Sequence, residues 1–439
     1  MAKELAFETS ITQLSIQKLS PQSPWTGVIG AAAGMGLFSW ISLQYGIAGW
    51  WGTRIDRPVL LWMVVSVVFL IMGLFDQVML GGHRAHPNVR PSYHATWKPL
   101  FCSSLWRFLA LLVVLSAARY VYFSHPFYGG AFYEPFRRFF PVLYAVFLVV
   151  GFPYILLTLR WRAGSKAELK DPGLHVLLWT RTLGRIVLNA SRRHRCPAFN
   201  NRRSKIVFLG FLVEFFFLPL MTVFLHNQFM DFAQAIRTLH DPRVPVDFNG
   251  VLYPLCYHGL YLMDVLLASG GYALPMRWLD NKIESVEPTL VGWVVALVCY
   301  PPFDMIANTY ITYGSASGTW LMHRPVLFFT SKIFVLVFAA IYSIATLMFG
   351  TRFSNLTHRG ILTRGPYGVV RHPAYAAKNL SWWMEKLGRM DNPFNILSLA
   401  LWNGIYVWRA WTEERHLGQD PIYREYCRRI RYRFIPGLI

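Results

Sequence analysis

The sequence predicts an all-α, polytopic integral membrane protein, a bundle of about eight to ten transmembrane helices. The 439 residues are 54% hydrophobic and 15% charged, and the mean hydropathy is +0.33. The apolar residues form repeated runs, and a helix of about 20 apolar residues is long enough to cross the hydrocarbon layer of a bilayer. These runs lack the strict alternation of a transmembrane barrel, so helices are the predicted way to satisfy the backbone in lipid.

The apolar runs define the predicted elements in order. They give spans at residues 25–50, 58–80, 100–124, 139–161, 205–228, 248–272, 289–313 and 325–350, then a shorter apolar segment at 394–411. The polar first 24 residues lack a basic start followed by an apolar run, which predicts no cleavable signal. We predict a multi-helix transmembrane region at 1–350 and a distinct C-terminal region at 351–439, where short apolar elements alternate with dense Arg, His, Glu and Tyr. Any catalytic or binding chemistry is expected in this second region.

Basic residues predict which side of the membrane each loop faces. Between Arg160 and Lys205 stand twelve Lys and Arg and two acidic residues, which is typical of a cytoplasmic loop under the positive-inside rule. Alternation of the spans then places the loop at 83–98 and everything after about residue 350 on the cytoplasmic side. The sequence therefore predicts chemistry that faces the cytoplasm, in a bacterial inner membrane or in the endoplasmic reticulum.

The formal charge of +21 does not indicate a nucleic-acid partner, because no nucleic-acid-binding motif accompanies it. The basic residues instead suit topology and contact with anionic membrane lipids.

The five cysteines are scattered without C-x-x-C spacing, so no disulfide framework or zinc site is expected. His83, His86 and His94 share one loop without a carboxylate or a helical context, and we predict no metal site.

Four acidic residues, Asp76, Glu214, Asp264 and Asp304, lie inside predicted spans, where an ionised group is costly and needs a partner. Asp76 and Asp264 stand near span ends, where snorkelling or an interhelical pair would satisfy them. Glu214, in "FLVEFFFLPL", stands deep in an aromatic segment and must find a donor, a proton or a substrate group.

The stretch "GPYGVVRHPAY" at 365–375 is a rigid polar loop in an otherwise apolar chain. Gly365 permits turn geometry and the next residue is proline, so Tyr367 is presented on a tight turn. Pro373 pushes His372 towards an extended conformation and prevents a helix from running through the motif. Directional donors and flat aromatic surfaces side by side suit a polar, aromatic ligand that carries charge.

The segment "NILSLALWNGIYVWRAWTEERHL" predicts a second wall for this ligand. At helical spacing Tyr406, Arg409 and Glu413 share one face, whereas Glu414 is turned by about 100°. The two carboxylates therefore cannot point in one direction. One can meet the ligand while the other pairs with an arginine such as Arg371, Arg409 or one from the C-terminal tail.

Together these motifs resemble a known family. "GPYGVVRHPAY", then "EERHL", then "YREYC" and "RFIP" are similar in order and spacing to the C-terminal core of the isoprenylcysteine carboxyl methyltransferase and phospholipid methyltransferase superfamily, over the last 80 to 90 residues. The resemblance implies a methyltransferase-like core at 351–439 that binds S-adenosylmethionine in a cytoplasm-facing pocket under the tail. It also implies a lipophilic small molecule or lipidated substrate as the methyl acceptor, with no metal.

The resemblance also implies roles for individual residues. The implied cofactor-binding residues are Gly365, Tyr367, His372, Pro373, Tyr375, Glu413 and Glu414. Arg371 and Glu413 are the implied catalytic residues. After the motif the chain departs from the family and reads "AAKNLSWWMEKLGRMDNP", a short or tilted arm. Acceptor contacts are predicted for Lys378, Asn379, Trp382 and Arg409, although a tryptophan such as Trp382 is equally suited to interfacial anchoring.

Two other classes of protein remain open. A membrane NADPH-dependent sterol or isoprenoid double-bond reductase would share the many helices, the Arg-His-Pro-x-Tyr loop and the tail. That family has Gly-Asp after the tyrosine and Arg-Asp where Glu413 and Glu414 stand. A transporter or non-catalytic lipid-binding protein would explain the buried charges, but inverted repeats are not visible. The sequence leaves the acceptor and the oligomeric state undetermined.

Overall fold

The computed structural model describes residues 23, 25–46, 56–79, 97–162, 172–188, 202–274, 279, 281–310, 321 and 323–438. The α-helices of these ranges are α1 (Thr26–Gly46), α2 (Arg57–Met79), α3 (Trp97–Ser124), α4 (Glu134–Arg162), α5 (Pro172–Leu188), α6 (Arg202–Leu239), α7 (Tyr253–Ala273), α8 (Leu290–Leu297), α9 (Phe303–Tyr310), α10 (Pro325–Leu347), α11 (Pro373–Glu385), α12 (Pro393–Leu417) and α13 (Pro421–Arg429). Two short antiparallel strands, β1 (Ser285–Val286) and β2 (Thr357–His358), pair in the same ranges. The predictions for residues 1–22 and for His83, His86 and His94 lie outside the described residues.

Seven helical segments within the described ranges are long and apolar enough to cross a membrane. They are Thr26–Gln44, Arg57–Met79, Trp97–Ser124, Ala131–Arg160, Arg202–Leu239, Phe248–Ala273 and Pro325–Leu347. The protein is therefore a polytopic helical membrane protein, as the composition predicted. The helix α5 lies within the basic segment that was predicted as a loop.

The single span predicted at 289–313 was wrong. The structure has two short helices there, α8 and α9, with a turn between them at Val298–Pro302. Pro301 and Pro302 lack the backbone N–H that a helix needs, and their rings clash with the preceding turn. The apolar composition of the segment was read correctly, but the two prolines end the first helix after about two turns.

The chain forms two compact units. The first comprises residues 1–54, 63–80 and 224–439, and the second comprises residues 55–62 and 81–223, in their described parts. The predicted boundary at residue 350 falls inside the first unit. In the second unit, Tyr122 lies at the centre of an aromatic cluster with Phe136, Phe140 and Phe215, and its hydroxyl donates to the Phe215 carbonyl at 2.7 Å.

The first unit is organised around α7. The glycines of this helix let its neighbours approach closely: a Cβ on Gly271 would lie 2.2 Å from the Phe353 carbonyl oxygen, and a Cβ on Gly270 would lie 2.0 Å from the Phe69 ring. This close approach brings the end of α7 directly against the chain that follows α10.

Buried carboxylates in the first unit bind hydroxyl groups of neighbouring helices. Asp264 on α7 accepts hydrogen bonds from Tyr342 Oη at 2.9 Å and Thr346 Oγ1 at 2.7 Å, both on α10. Asp76 accepts from the Ser23 backbone N at 3.2 Å and from the Thr26 hydroxyl. Both carboxylates therefore have the interhelical partners that their positions near span ends predicted.

Replacing Gly271 by alanine is expected to destabilise the first unit. The added Cβ would press on the Phe353 carbonyl oxygen, and moving the two segments apart should cost about 1–3 kcal/mol. The measurement is the midpoint of thermal unfolding of the detergent-solubilised protein.

Gly36→Ala is the matched control, because Gly36 also lies inside a helix but no described atom outside the backbone of that helix stands within 4 Å of its added Cβ. Alanine favours a helix over glycine, so this midpoint should stay level or rise slightly. Equal midpoints for the two variants would contradict the close approach at Gly271.

Candidate functional site

The motif at 365–375 begins with a tight turn, as its glycines and proline predicted. Gly365 has a φ of +60°, and a Cβ at this position would lie 3.0 Å from the Met348 sulfur. The turn Gly365–Gly368 buries Tyr367, whose ring meets Phe349 edge-on at 5.5 Å between centroids. The Tyr426 hydroxyl donates to the Tyr367 carbonyl at 2.8 Å, so α13 is attached to the turn.

The C-terminal tail, residues 430–438, lies along the centre of the motif. The backbone N–H of Arg371 donates to the Tyr432 carbonyl at 2.9 Å, and that of His372 donates to the Arg433 carbonyl at 2.8 Å. His372 is non-helical and Pro373 begins α11, which leaves both N–H groups available to the tail.

Glu414 joins the motif, α12 and the tail. Its Oε1 lies 3.1 Å from His372 Nε2 and 3.0 Å from Arg371 Nε, and its Oε2 accepts from Arg433 Nε at 3.0 Å. The Arg371 contact is an ion pair without hydrogen-bond geometry. Burial acts to raise the pKa of Glu414, but the hydrogen bonds and charges of these three partners outweigh it and hold the pKa below its usual range.

Glu413, one residue earlier, points into a cavity. Its Oε2 accepts from Tyr375 Oη at 2.9 Å, and its Oε1 has no hydrogen-bond partner within the part of the chain that the structure describes. The Tyr375 ring stacks on the His372 ring with an interplanar angle of 3° and a centroid distance of 5.5 Å, and it meets Tyr406 edge-on at 5.6 Å. The divergence of the two carboxylates follows from the 100° step of the helix.

Arg409, one turn before Glu413, is buried with aromatic faces around it. Its guanidinium carbon lies 5.3 Å from the Tyr375 ring centroid and 5.8 Å from that of Tyr300. The Asn355 side-chain oxygen accepts a hydrogen bond from Arg409 Nη2, and no described carboxylate forms an ion pair with Arg409.

Asn355 connects this arginine to earlier parts of the chain. Its Nδ2 donates to Tyr300 Oη at 3.0 Å, and its backbone N–H donates to Tyr272 Oη at 2.6 Å. Tyr272 belongs to α7, and Tyr300 belongs to the turn between α8 and α9. The helices before residue 351 thus contribute polar groups directly beside the motif.

The cavity holds about 970 Å³ of empty space, its open mouth included. Seven of the predicted site residues line it: Tyr367, Arg371, His372, Tyr375, Lys378, Arg409 and Glu413. Five do not line it: Gly365, Pro373, Asn379, Trp382 and Glu414. Of these, Asn379 donates to the Tyr375 carbonyl at 2.8 Å and Trp382 meets Tyr406 edge-on at 5.3 Å.

Sequence reasoning missed part of the cavity wall. Tyr300, Tyr342, Thr346 and Asn355 also line the cavity, and the first three lie in the predicted transmembrane region. The i, i+4 spacing of Tyr342 and Thr346 places both hydroxyls on one helix face, and Asp264 is a buried carboxylate that needs donors. That combination was the available signal, although the sequence could not show which helices are neighbours.

The end of α12 is fixed by a second buried carboxylate. Glu287, which follows β1, accepts from Arg415 Nη2 at 2.8 Å and lies 3.8 Å from His416 Nδ1. His416 also contacts the Ser285 hydroxyl at 2.9 Å. Burial lowers the pKa of His416, with Glu287 acting in the opposite direction. These contacts hold the turn of α12 that carries Glu413.

Acid is expected to destabilise the junction at Glu414. Because the folded-state pKa is lowered, the contribution of Glu414 to stability is full above the usual pKa of about 4.3 and is lost as the pH falls through the lower folded value. The Glu414→Gln variant should be less stable at neutral pH by about 1–3 kcal/mol and should lose less stability on acidification. Thermal midpoints measured as a function of pH test this.

The control for this experiment is Glu425→Gln, which changes an exposed carboxylate that pairs with Arg428 and Arg429 on α13. It should retain the acid sensitivity of the unmodified protein. The same pH dependence in Glu414→Gln as in the unmodified protein would contradict the role of Glu414.

Comparison with known proteins identifies one family. Residues 321–425, about a quarter of the chain, match the model of the phospholipid methyltransferase family. No curated protein and no solved structure matches the chain. The matched residues include the Arg-His-Pro motif and the Glu413–Glu414 pair. The C-terminal region therefore matches the phospholipid methyltransferase family, in agreement with the superfamily that its motifs resemble.

Proposed function

We propose that this protein is a membrane-embedded methyltransferase that uses S-adenosylmethionine and acts on a lipophilic or lipid-linked acceptor, with its cavity open to the cytoplasm. The observation that carries the proposal is the position of the cavity, which lies between the two motifs of the matched domain. At this position Tyr375 donates a hydrogen bond to Glu413. Arg371 and His372 both contact Glu414. The basic residues of the C-terminal region itself, among them Arg428, Arg429 and Arg431, support the cytoplasmic orientation.

The polar groups of the cavity suit this cofactor. Oxygen Oε1 of Glu413, which no described donor occupies, suits ribose hydroxyls or an ammonium group. The guanidinium of Arg409, without a described carboxylate partner, suits a carboxylate. The faces of Tyr367 and Tyr375 suit adenine and a cationic sulfur. The other implied cofactor residues, Gly365, Pro373 and Glu414, would act by shaping and fixing this wall.

In methyl transfer the protein itself has to supply few chemical groups. When bound, S-adenosylmethionine would supply both the methyl group and a good leaving group. The chain's own task is to align the acceptor, exclude water and stabilise charge, and this requires no metal. We propose Arg371 and Glu413, which line the cavity on opposite motifs, as the catalytic residues. Lys378 and Arg409 would contact the acceptor. Asn379 and Trp382, which lie on the same helix as Lys378, would support the position of that helix.

One prediction of the proposed function concerns cofactor affinity. Glu413→Gln should weaken binding of S-adenosylmethionine and of its demethylated product about tenfold or more, because a hydrogen bond to a charged group is worth about 1.5–3 kcal/mol. His372→Ala, which removes a ring from the cavity wall, and Glu414→Ala, which leaves Arg371 without its carboxylate partner, should each weaken binding by about tenfold. Titration calorimetry of the detergent-solubilised protein measures the affinities.

Glu425→Gln is the control for these variants, because Glu425 lies on α13 outside the cavity lining. Thermal midpoints measured in parallel show whether each variant is folded. Unchanged affinity in the folded Glu413 and His372 variants would remove the cofactor assignment.

The second prediction concerns the acceptor. Membranes that contain the protein, incubated with methyl-labelled S-adenosylmethionine, should transfer label to the lipid fraction or to lipidated protein. Membranes that contain Glu413→Gln should transfer far less, and added NADPH should leave the transfer unchanged. Label that remains entirely with small water-soluble products would contradict a lipophilic acceptor.

A further inference from the structure

Lys378 has an unusual environment for a lysine. It lies on α11 one turn after Tyr375 and lines the cavity. Its Nζ stands 5.6 Å from the ring centroid of Tyr342, 5.4 Å from that of Trp382 and 5.8 Å from that of Tyr406. Within the described ranges this amine makes no hydrogen bond and no ion pair. A lysine that serves only structure would normally have an oxygen partner when it is withdrawn from water.

The charges around Lys378 do not neutralise it directly. The titratable groups that face it from the neighbouring elements are Asp264, Cys299, Tyr342, Tyr406 and Arg409. Asp264 is the one carboxylate of this set, and both of its oxygens are already bonded, one by Tyr342 and the other by Thr346. Arg409 is a like charge on the facing helix.

These surroundings act on the protonation of the amine in opposite directions, and their net effect is a lowered pKa. Withdrawal from water disfavours the ammonium, and the like charge of Arg409 acts in the same direction. Burial first, and then Arg409, lower the pKa of Lys378, while Asp264 raises it. The aromatic faces stabilise an ammonium once it forms. An amine whose pKa is lowered gives up its proton more readily and is suited to act as a general base.

We propose that Nζ of Lys378 accepts the proton that the methyl acceptor loses, and that the acceptor is therefore a nucleophile that carries a proton, such as an amine, a hydroxyl or a thiol, not a carboxylate. This inference rests on the proposed methyl transfer. The acceptor atom forms its bond to the methyl carbon as the carbon–sulfur bond breaks, and that electron pair remains on sulfur. The proton of the acceptor atom passes to the lone pair of Nζ, and the resulting ammonium returns it to water through the open cavity.

The first test reads the protonation of Lys378 without activity. Only a neutral amine reacts with acetic anhydride, so labelling of the ligand-free protein over a range of pH, followed by mass spectrometry of the peptides, titrates each lysine. Lys378 should react fully at a lower pH than Lys282, a half-exposed lysine that pairs with Glu284 at 2.9 Å. Labelling of Lys378 only at the same high pH as Lys282, or above it, would overturn the proposal.

The second test separates a base from a positively charged anchor. Lys378→Arg keeps the charge but cannot be deprotonated, and Lys378→Met keeps the length but has no charge. Both variants should bind S-adenosylmethionine as the unmodified protein does. Both should transfer label to lipids extracted from native membranes about 100-fold more slowly. The rate of the unmodified protein should fall at acid pH as Lys378 is protonated, and both variants should lose this fall. Lys386→Met, at the end of the same helix, is the control and should behave as the unmodified protein.

The outcomes of this second test are distinct. Full activity in Lys378→Arg with loss in Lys378→Met would show that a positive charge is what matters, and would overturn the role of Lys378 as a base. Full activity in both variants would exclude any role for this lysine in the reaction. Failure of the unmodified protein to bind S-adenosylmethionine would instead refute the proposed function, and the inference with it.

Discussion

The candidate site depends on one carboxylate, that of Glu414. It binds two residues of the Arg-His-Pro motif and one residue of the C-terminal tail, segments that are far apart along the chain. A buried charge is stable only when it is paired and hydrogen-bonded. Moving these partners away would leave the carboxylate charge unpaired, and this cost holds the three segments together. Because successive helical residues diverge by about 100°, fixing Glu414 also fixes the direction of Glu413 into the cavity.

The sequence predicted the parts of the site that are local. The turn at Gly365, the non-helical conformation of His372 before Pro373 and the divergence of Glu413 and Glu414 follow from glycine, proline and helix geometry, and each is present in the structure. The interhelical bonds of Asp264 were also expected, because a carboxylate in a membrane needs donors. The failure at 289–313 came from weighing hydropathy above the two prolines in the middle of the segment.

The parts that could not be predicted are those in which distant segments meet. Three residues of this site stand before residue 321, outside the matched domain: Asp264, Tyr272 and Tyr300. Asp264 accepts a hydrogen bond from Thr346 and Tyr272 accepts one from the Asn355 backbone, while Tyr300 lines the cavity itself. No periodicity reveals that the end of α7 contacts the chain after α10. The close approach requires glycine at 271, but a glycine in an apolar helix does not by itself indicate which segment packs against it. The preceding helices thus complete the polar interior around the matched domain.

Asn355 has a consequence for how this site can vary. Its amide presents one oxygen to Arg409 and one N–H to Tyr300, while its backbone N–H is bound by Tyr272. Aspartate would lose the donor, and glutamine would carry the same amide one methylene too far. No other amino acid makes both contacts with a side chain of this length. Sequence changes elsewhere in the cavity wall therefore leave asparagine required at this position, unless Arg409 and Tyr300 are replaced together with it.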